Sequence, residues 1–237
     1  MDDHKMRVSE RYLNEEYLVS NPDWHAKDSK WKSDHIIQLL KKNNIRPKTL
    51  CEIGCGAGDI LSYLHRKNIS SEIDGYDISP MAIEICSTKE KENLKFHLKN
   101  IDDISKKYDC LLCIDVLEHV EDYIGFTRNL KPLSNYKIFH IPLDISFAGI
   151  AFNWMNHARE SVGHLHYFTY ETALATLAEA DLEVLDYFFT APFLIESNRS
   201  YKIKDIFIYW IRRIVFSLSP KLLSKTLGGC SIMVLAK

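Results

Sequence analysis

Between Thr49 and Ile141, short apolar runs alternate with stretches whose apolar residues recur at helical spacing. Runs at Thr49–Ile53, Ser71–Tyr76, Leu94–Leu98, Tyr108–Ile114 and Tyr136–Ile141 read as strands, and Asp59–Lys67, Pro80–Ser87 and Asp122–Leu130 as helices between them. Parallel strands need crossover connections, so this alternation predicts a mostly parallel sheet with helices on both faces. Upstream, Ile36, Ile37, Leu39 and Leu40 follow Ser33 at helical spacing, which predicts a helix capped by Ser33 and ending near Asn43 and Asn44. Residues 1–32 carry Tyr12, Tyr17, Trp24 and Trp31 without a clear period and read as an N-terminal arm or lid. Residues 33–237 read as a single domain.

After Ile141 the rhythm breaks. Pro142–Gly163 reads as an irregular stretch, followed by a helix over Thr169–Ala180 capped by Thr169 and a strand over Leu182–Thr190. A second irregular segment near Pro192–Ser200, an apolar helix over Lys204–Leu218 and a last strand over Cys230–Ala236 complete the chain. The two late strands, linked by an insertion, predict an antiparallel hairpin at one edge. The domain thus carries insertions at about 143–166 and 192–226. Long connections of this kind often carry function.

At 237 residues and 46% hydrophobic composition the chain can bury one substantial core. Lys plus Arg number 30 against 32 Asp plus Glu, so no global positive field draws the protein onto a phosphate backbone, and nucleic acid is not an expected partner. No apolar run approaches a membrane span and no secretory core follows Met1, so the expected location is cytoplasmic. Six cysteines lack a disulfide rhythm. Cys110 and Cys113 fall on a predicted strand, where residues three apart face opposite ways, so they form no metal or redox pair.

The chemistry concentrates at Cys51-Glu52-Ile53-Gly54-Cys55-Gly56-Ala57-Gly58-Asp59, where three glycines at alternate positions join a strand to a helix. Such glycines let the backbone turn tightly and approach a ligand. Glu52 before the turn suits an amine, and Asp77 at the end of the next strand suits ribose hydroxyls. That is a nucleoside-cofactor site. With Gly75-Tyr76-Asp77-Ile78-Ser79-Pro80, Asp115-Val116-Leu117-Glu118-His119-Val120 and Gly163-His164-Leu165-His166-Tyr167-Phe168-Thr169, the loop resembles, in order, four motifs of the class I S-adenosylmethionine-dependent methyltransferases. The likeness is to their small-molecule branch, types 11, 12 and 23, and covers about residues 45–190 plus the last strand. The glycines lie two apart throughout, unlike the G-x-G-x-x-G that cradles pyrophosphate in nicotinamide enzymes.

The resemblance implies a Rossmann-like, doubly wound α/β fold with a seven-stranded sheet and S-adenosyl-L-methionine as cofactor. It places Gly54, Cys55, Gly56 and Gly58 against the methionine and ribose, Glu52 at the amine, Asp77 on the ribose hydroxyls and Ile78 beside the adenine. Asn100, Ile101 and Asp102 form the adenine-side segment, with Asn where the family often has Asp, and Asp115 and His119 complete the cofactor set. Asp144, His119 and His166 are the candidate bases.

His164 and His166 alternate, so on an extended segment they share a face; with His140, Asp144 or His157 they close no ligand set, so no metal is expected, and structural hydrogen bonding or, next, a substrate-proton role is left for them. The implied activity is methyl transfer to a small-molecule acceptor, foremost to a hydroxyl of a sugar, polyketide or lipid-linked intermediate. N-methylation of an amine or amide is the alternative. RNA methylation and a non-catalytic cofactor-binding scaffold rank below it. The apolar helix 204–218 needs cover from the domain, a homodimer partner or a membrane surface, with the first two preferred.

Overall fold

Apolar runs bounded by polar turns build seven strands, and the computed structural model describes residues 26–195 and 203–237 of the chain. The strands are β1 (Thr49–Ile53), β2 (Glu72–Asp77), β3 (Leu94–Leu98), β4 (Tyr108–Ile114), β5 (Ser134–Leu143), β6 (Val184–Thr190) and β7 (Cys230–Ala236). They lie in one sheet in the order β3-β2-β1-β4-β5-β7-β6. The first five run parallel, and β7 is antiparallel to both β5 and β6. The doubly wound sheet and its antiparallel edge are therefore as expected. The order turns outward from β1 and β4 in opposite directions, which opens a crevice at their carboxyl ends.

Helices α1 (Ala26–Lys42), α2 (Asp59–Arg66), α3 (Pro80–Ser87), α4 (Tyr123–Leu130), α5 (Phe147–Ala151), α6 (Trp154–Ser161), α7 (Tyr170–Glu179), α8 (Ile203–Leu218) and α9 (Pro220–Lys225) surround it. Side chains alternate across each strand, so two cores form. Cys51, Ile53, Leu111, Cys113, Phe139 and Leu177 pack on one face, and Leu50, Cys110, Leu112, Leu39, Leu61 and Leu64 on the other. Cys110 and Cys113 thus part to opposite faces, and all six cysteines are buried free thiols. Local caps fix the helix starts. Ser79 accepts from the Ala82 N–H, Asp122 accepts from the Gly125 N–H at 2.9 Å, and Thr169 forms a capping box with Thr172.

Three expectations change. Ser33 is not a cap: α1 runs from Ala26, so residues 26–32 belong to it, and the buried Ser33 hydroxyl donates to the Ser29 carbonyl one turn back. Residues 1–25 of the expected arm, with Tyr12, Tyr17 and Trp24, lie outside the described residues. The stretch after Ile141 is not irregular, because β5 extends to Leu143 and α5 and α6 follow. No side chain of α6 is buried, so it carries no apolar stripe to betray it. Third, the domain covers only one side of α8. Val215 and Phe216 pack on the core, whereas Phe207 is 68% and Leu218 81% exposed. Among the described residues no helix is long and apolar enough to cross a membrane.

Candidate active site

A cavity of about 680 Å³ opens at the carboxyl ends of β1, β2 and β4, within the size range of small-molecule sites. Its floor is the glycine loop. Gly54, Gly56 and Gly58 all have left-handed backbones, with φ of 72°, 51° and 74°, a region that costs other residues free energy. A β-carbon on Gly54 would stand 2.7 Å from Val116 Cγ2, and one on Gly58 2.6 Å from Phe96 Cε1. Two of the glycines therefore serve packing within the protein as well as the approach of a ligand.

Asp77 ends β2 and ties the loop: Oδ2 accepts from the Gly56 N–H at 2.8 Å and Oδ1 from the Ser79 N–H at 2.9 Å. With Ile78 as a third backbone donor, the carboxylate's four acceptor positions still leave room for a hydroxyl. Burial pushes the Asp77 carboxyl up, against the pull of those backbone donors. Glu52, at 2% exposure, lines the cavity, and its Oε2 has no hydrogen-bond partner among the described residues. Burial drives its carboxyl well above the ordinary 4.5. A buried carboxylate oxygen waiting beside a cavity fits an ammonium group, so these residues fit the cofactor that the motifs imply. Ile78, Asn100 and Ile101 line the same wall. The Asn100 side-chain oxygen is already engaged, accepting from the Ile101 N–H at 2.6 Å. Asp102 is exposed, lies off the cavity and accepts from Asn129, so its expected place in the cofactor set is not met. Cys55 lines the cavity as an inert thiol, raised by its hydrogen bond with the Cys86 thiol and by burial.

Across the cavity, Asp115 follows β4 with φ 54°, an uncommon backbone for a non-glycine residue. Both of its oxygens are already engaged within the protein. Oδ1 accepts from His140 Nδ1 at 2.5 Å and Oδ2 from Lys32 Nζ at 2.7 Å, and His140 Nε2 meets Thr190 Oγ1 at 2.9 Å. Burial alone would raise the Asp115 carboxyl, but the neighbouring His140 and Lys32 hold it far below 3.8. Asp28, Ser29 and Lys32 of α1 line this wall.

Beside this cluster, Glu118 is 1% exposed, and neither carboxylate oxygen meets a hydrogen-bond partner elsewhere among the described residues. Burial and the Asp115 charge push its carboxyl well up. His119 and His164 also line the cavity, their rings 5.1 Å apart. One ligand atom from each of Glu118, His119 and His164 lies within 4.8 Å of the other two. His164 Nδ1 bonds Asp144 Oδ2 at 2.7 Å, and His119 Nδ1 donates to the Gly163 carbonyl at 3.2 Å. Asp144 is not itself at the cavity wall but stands behind His164.

His166 does not join them. Its Nε2 meets the Glu121 carbonyl at 3.1 Å and its ring lies 4.5 Å from Tyr123, away from the cavity. The shared face expected of His164 and His166 fails because the Leu165 and His166 N–H groups both bend to the Glu118 carbonyl, at 2.7 and 3.1 Å. Lys32 and Glu118 are thus the site residues absent from the sequence-derived set, whereas His164 is weighed there beside His166 but is not among the named bases. Glu118 stood inside a quoted motif, and Lys32 carried no signal among the other lysines of α1.

The sequence profile of a methyltransferase domain matches residues 24–187. A ubiquinone biosynthesis O-methyltransferase of Coxiella burnetii is 26% identical over 144 residues, which is 54% of this chain and 61% of that protein. A tRNA U34 carboxymethyltransferase of Campylobacter jejuni is 28% identical over 112 residues, 44% of this chain and 38% of that protein. The chain's match thus spans less than two thirds of each relative. Among solved structures, magnesium protoporphyrin IX methyltransferase from Synechocystis PCC 6803 with bound S-adenosylmethionine superposes with a TM-score of 0.61 at 13% identity, covering 100% of this chain and 99% of that one.

Proposed function

The chain belongs to the class I S-adenosylmethionine-dependent methyltransferases, and we propose that it methylates an oxygen of a small acceptor with a large apolar part. Sugar, polyketide and lipid-linked hydroxyls are the candidate acceptors. When bound, the cofactor supplies a methyl group on a sulfonium, already a good electrophile. The protein's tasks are to orient, to exclude water and to take a proton. Glu52, the glycine loop and Asp77 would hold the cofactor, leaving the wall of Lys32, Glu118, His119 and His164 for the acceptor.

The observation that carries the oxygen reading is the Asp144–His164 pair at the cavity wall. A carboxylate on Nδ1 fixes the imidazole tautomer and leaves the lone pair on Nε2. A hydroxyl must lose its proton as the carbon–oxygen bond forms, whereas an amine needs only to arrive neutral. In this reading His164 takes the proton, Asp144 orients it, and His119 lines the approach. Asp144 is then a positioning residue rather than the base.

Two features support an acceptor with an apolar part. Pro192 lines the cavity, and the next residue, Phe193, packs its ring 6.2 Å from Tyr209 and 6.3 Å from Phe216, so exposed α8 continues from the cavity rim. The same helix offers a face on which a homodimer partner or a lipid surface would dock. The ubiquinone-biosynthesis relative points the same way, whereas balanced charge argues against an RNA acceptor despite the tRNA-modifying relative. The test is a panel of phenolic, sugar and amine acceptors with methyl-labelled cofactor, the product's attachment atom being read by NMR. An oxygen-linked methyl is expected, with His164→Ala about 100-fold slower in kcat. A nitrogen-linked product, or full activity in His164→Ala, would overturn the reading.

A further inference from the structure

We propose that the acceptor carries a protonated amine on the carbon next to its reacting hydroxyl, and that Glu118 and His119 hold this ammonium group. The hydroxyl stands against His164 as in the oxygen-transfer reading above, on which this inference rests. Glu118 carries the argument. Its side chain is 1% exposed at the cavity wall, and neither carboxylate oxygen meets a hydrogen-bond partner elsewhere among the described residues. Burying such a group without a partner is costly. The nearby ammonium of Lys32 is already on Asp115, at 2.7 Å. A cation brought in with the acceptor gives the Glu118 carboxylate its partner.

The spacing suits one tetrahedral nitrogen. With hydrogen bonds of about 2.8 Å, two acceptors at tetrahedral positions around an ammonium stand roughly 4.6 Å apart. Glu118 Oε1 and His119 Nε2 are 4.0 Å apart, close enough for one nitrogen to reach both. A carbonyl can only accept, so the bond from His119 Nδ1 to the Gly163 oxygen places that ring's proton on Nδ1 and makes Nε2 the accepting nitrogen. A ring nitrogen of His164 lies within 4.8 Å of the same group. A hydroxyl on His164 and an ammonium on Glu118 therefore belong to neighbouring carbons of one molecule.

The charge of the cavity is a second observation. Eight aspartates and glutamates line it, but only two lysines, among the described residues. Glu52 and Asp77 answer the cofactor, and Lys99 follows β3 on that side. Glu118, Glu121 and Asp122 follow β4 on the acceptor side, with Asp144 behind His164. A cleft lined by one sign of charge concentrates ligands of the other. The ammonium also directs the methyl group. Kept protonated on Glu118, the nitrogen has no lone pair with which to attack the sulfonium. In the transfer the hydroxyl oxygen bonds to the methyl carbon, its proton passes to His164 Nε2, and the carbon–sulfur pair stays on sulfur. The ammonium keeps its protons throughout, and no other reactant is needed.

The test is calorimetric titration of the full chain saturated with S-adenosylhomocysteine, which fills the cofactor side and keeps the amine off Glu52. The probes are the trans amino alcohol of cyclohexane, with its two groups on neighbouring carbons, and the matching trans diol. They share a shape and differ in charge. Wild type should bind the amino alcohol at least about tenfold more tightly than the diol. Glu118→Gln, which keeps the shape and removes the charge, should bring the two within about twofold of each other, whereas His164→Gln should keep the preference. Equal affinity of wild type for the two probes, or a preference undiminished in Glu118→Gln, overturns the inference. If Glu118→Gln does not fold, the wild-type comparison decides alone. No methyl group moves in these titrations, so failure there leaves the oxygen-transfer reading standing. That reading fails separately if the labelled methyl appears on nitrogen.

Discussion

On the β1–β2 side of the cavity, the groups proposed to hold the cofactor come from two short stretches, Glu52–Gly58 and Tyr76–Ile78. On the β4–β5 side, Lys32, Asp115, Glu118, His140, Asp144 and His164 arrive from α1, from the ends of β4 and β5 and from the segment after α6. The first side works through backbone: left-handed glycines and N–H groups locked to Asp77. The second works through side chains that meet only in three dimensions, with His140 and Lys32 both on the carboxylate of a strained Asp115. A cofactor used by many enzymes can be met by a short local motif. An acceptor pocket has to be assembled from distant parts of the chain, and it can change without disturbing the loop.

Asp77 should show the largest effect, because the cofactor side hangs on it. Asp77→Ala would remove the charge-assisted bonds proposed to the ribose and also free the Gly56 and Ser79 N–H groups. The expected loss is roughly 3 kcal/mol, about 100-fold in cofactor affinity by calorimetry. Asp77→Asn, keeping one acceptor, should fall between. Equal binding by wild type and Asp77→Ala would mean that the loop is a packing device and that the contrast between the two sides is misdrawn.

That contrast also explains what was legible in the sequence. Strands buried on both faces announce themselves as apolar runs, and the alternate glycines with Glu52 and Asp77 carry their own geometry. The first turns of α1 and all of α6 escaped because they bury little apolar surface and so leave no stripe. Lys32 is one basic residue among several on α1, and only its 2.7 Å contact with Asp115 sets it apart. Glu118 is visible as a letter beside His119, yet the absence of partners around its oxygens exists only in the fold. The spacing of His164 and His166 misled because it assumed an extended segment, whereas two successive N–H groups turn onto one carbonyl.

On the acceptor side, Lys32→Met should cost about 3 kcal/mol of stability, as expected when one partner of a mostly buried pair is removed and the other keeps its charge. Thermal melts would show it, and a loss below about 1 kcal/mol would mean that His140 alone satisfies Asp115. Glu52→Gln should act the opposite way on the two sides of its ledger. Its folded pKa is raised above 4.5, so the native state holds a proton that the unfolded state has released. Glu52 therefore favours the fold only at low pH and loses that contribution as pH rises through the raised value. Without cofactor, Glu52→Gln should gain about 1 kcal/mol at neutral pH and nothing below about pH 4, while binding the cofactor about tenfold more weakly. A variant less stable than wild type at neutral pH would show that Glu52 is already paired.

The smallest expected effect separates two histidines that stand two residues apart. His166 meets only a backbone carbonyl and the ring of Tyr123, outside the cavity. His166→Ala should change kcat by less than about twofold and stability by no more than about 0.5 kcal/mol, the range of a surface substitution away from special features. His164→Ala, by contrast, removes the ring that Asp144 orients toward the cavity. Measured side by side on one acceptor, the pair should differ by about two orders of magnitude in kcat. If His166→Ala were the slower enzyme, the segment 163–168 would have to turn over when the acceptor binds, carrying His166 inward and His164 away from the proton path. The division of the cavity would then hold for the protein without acceptor but not for its reacting complex.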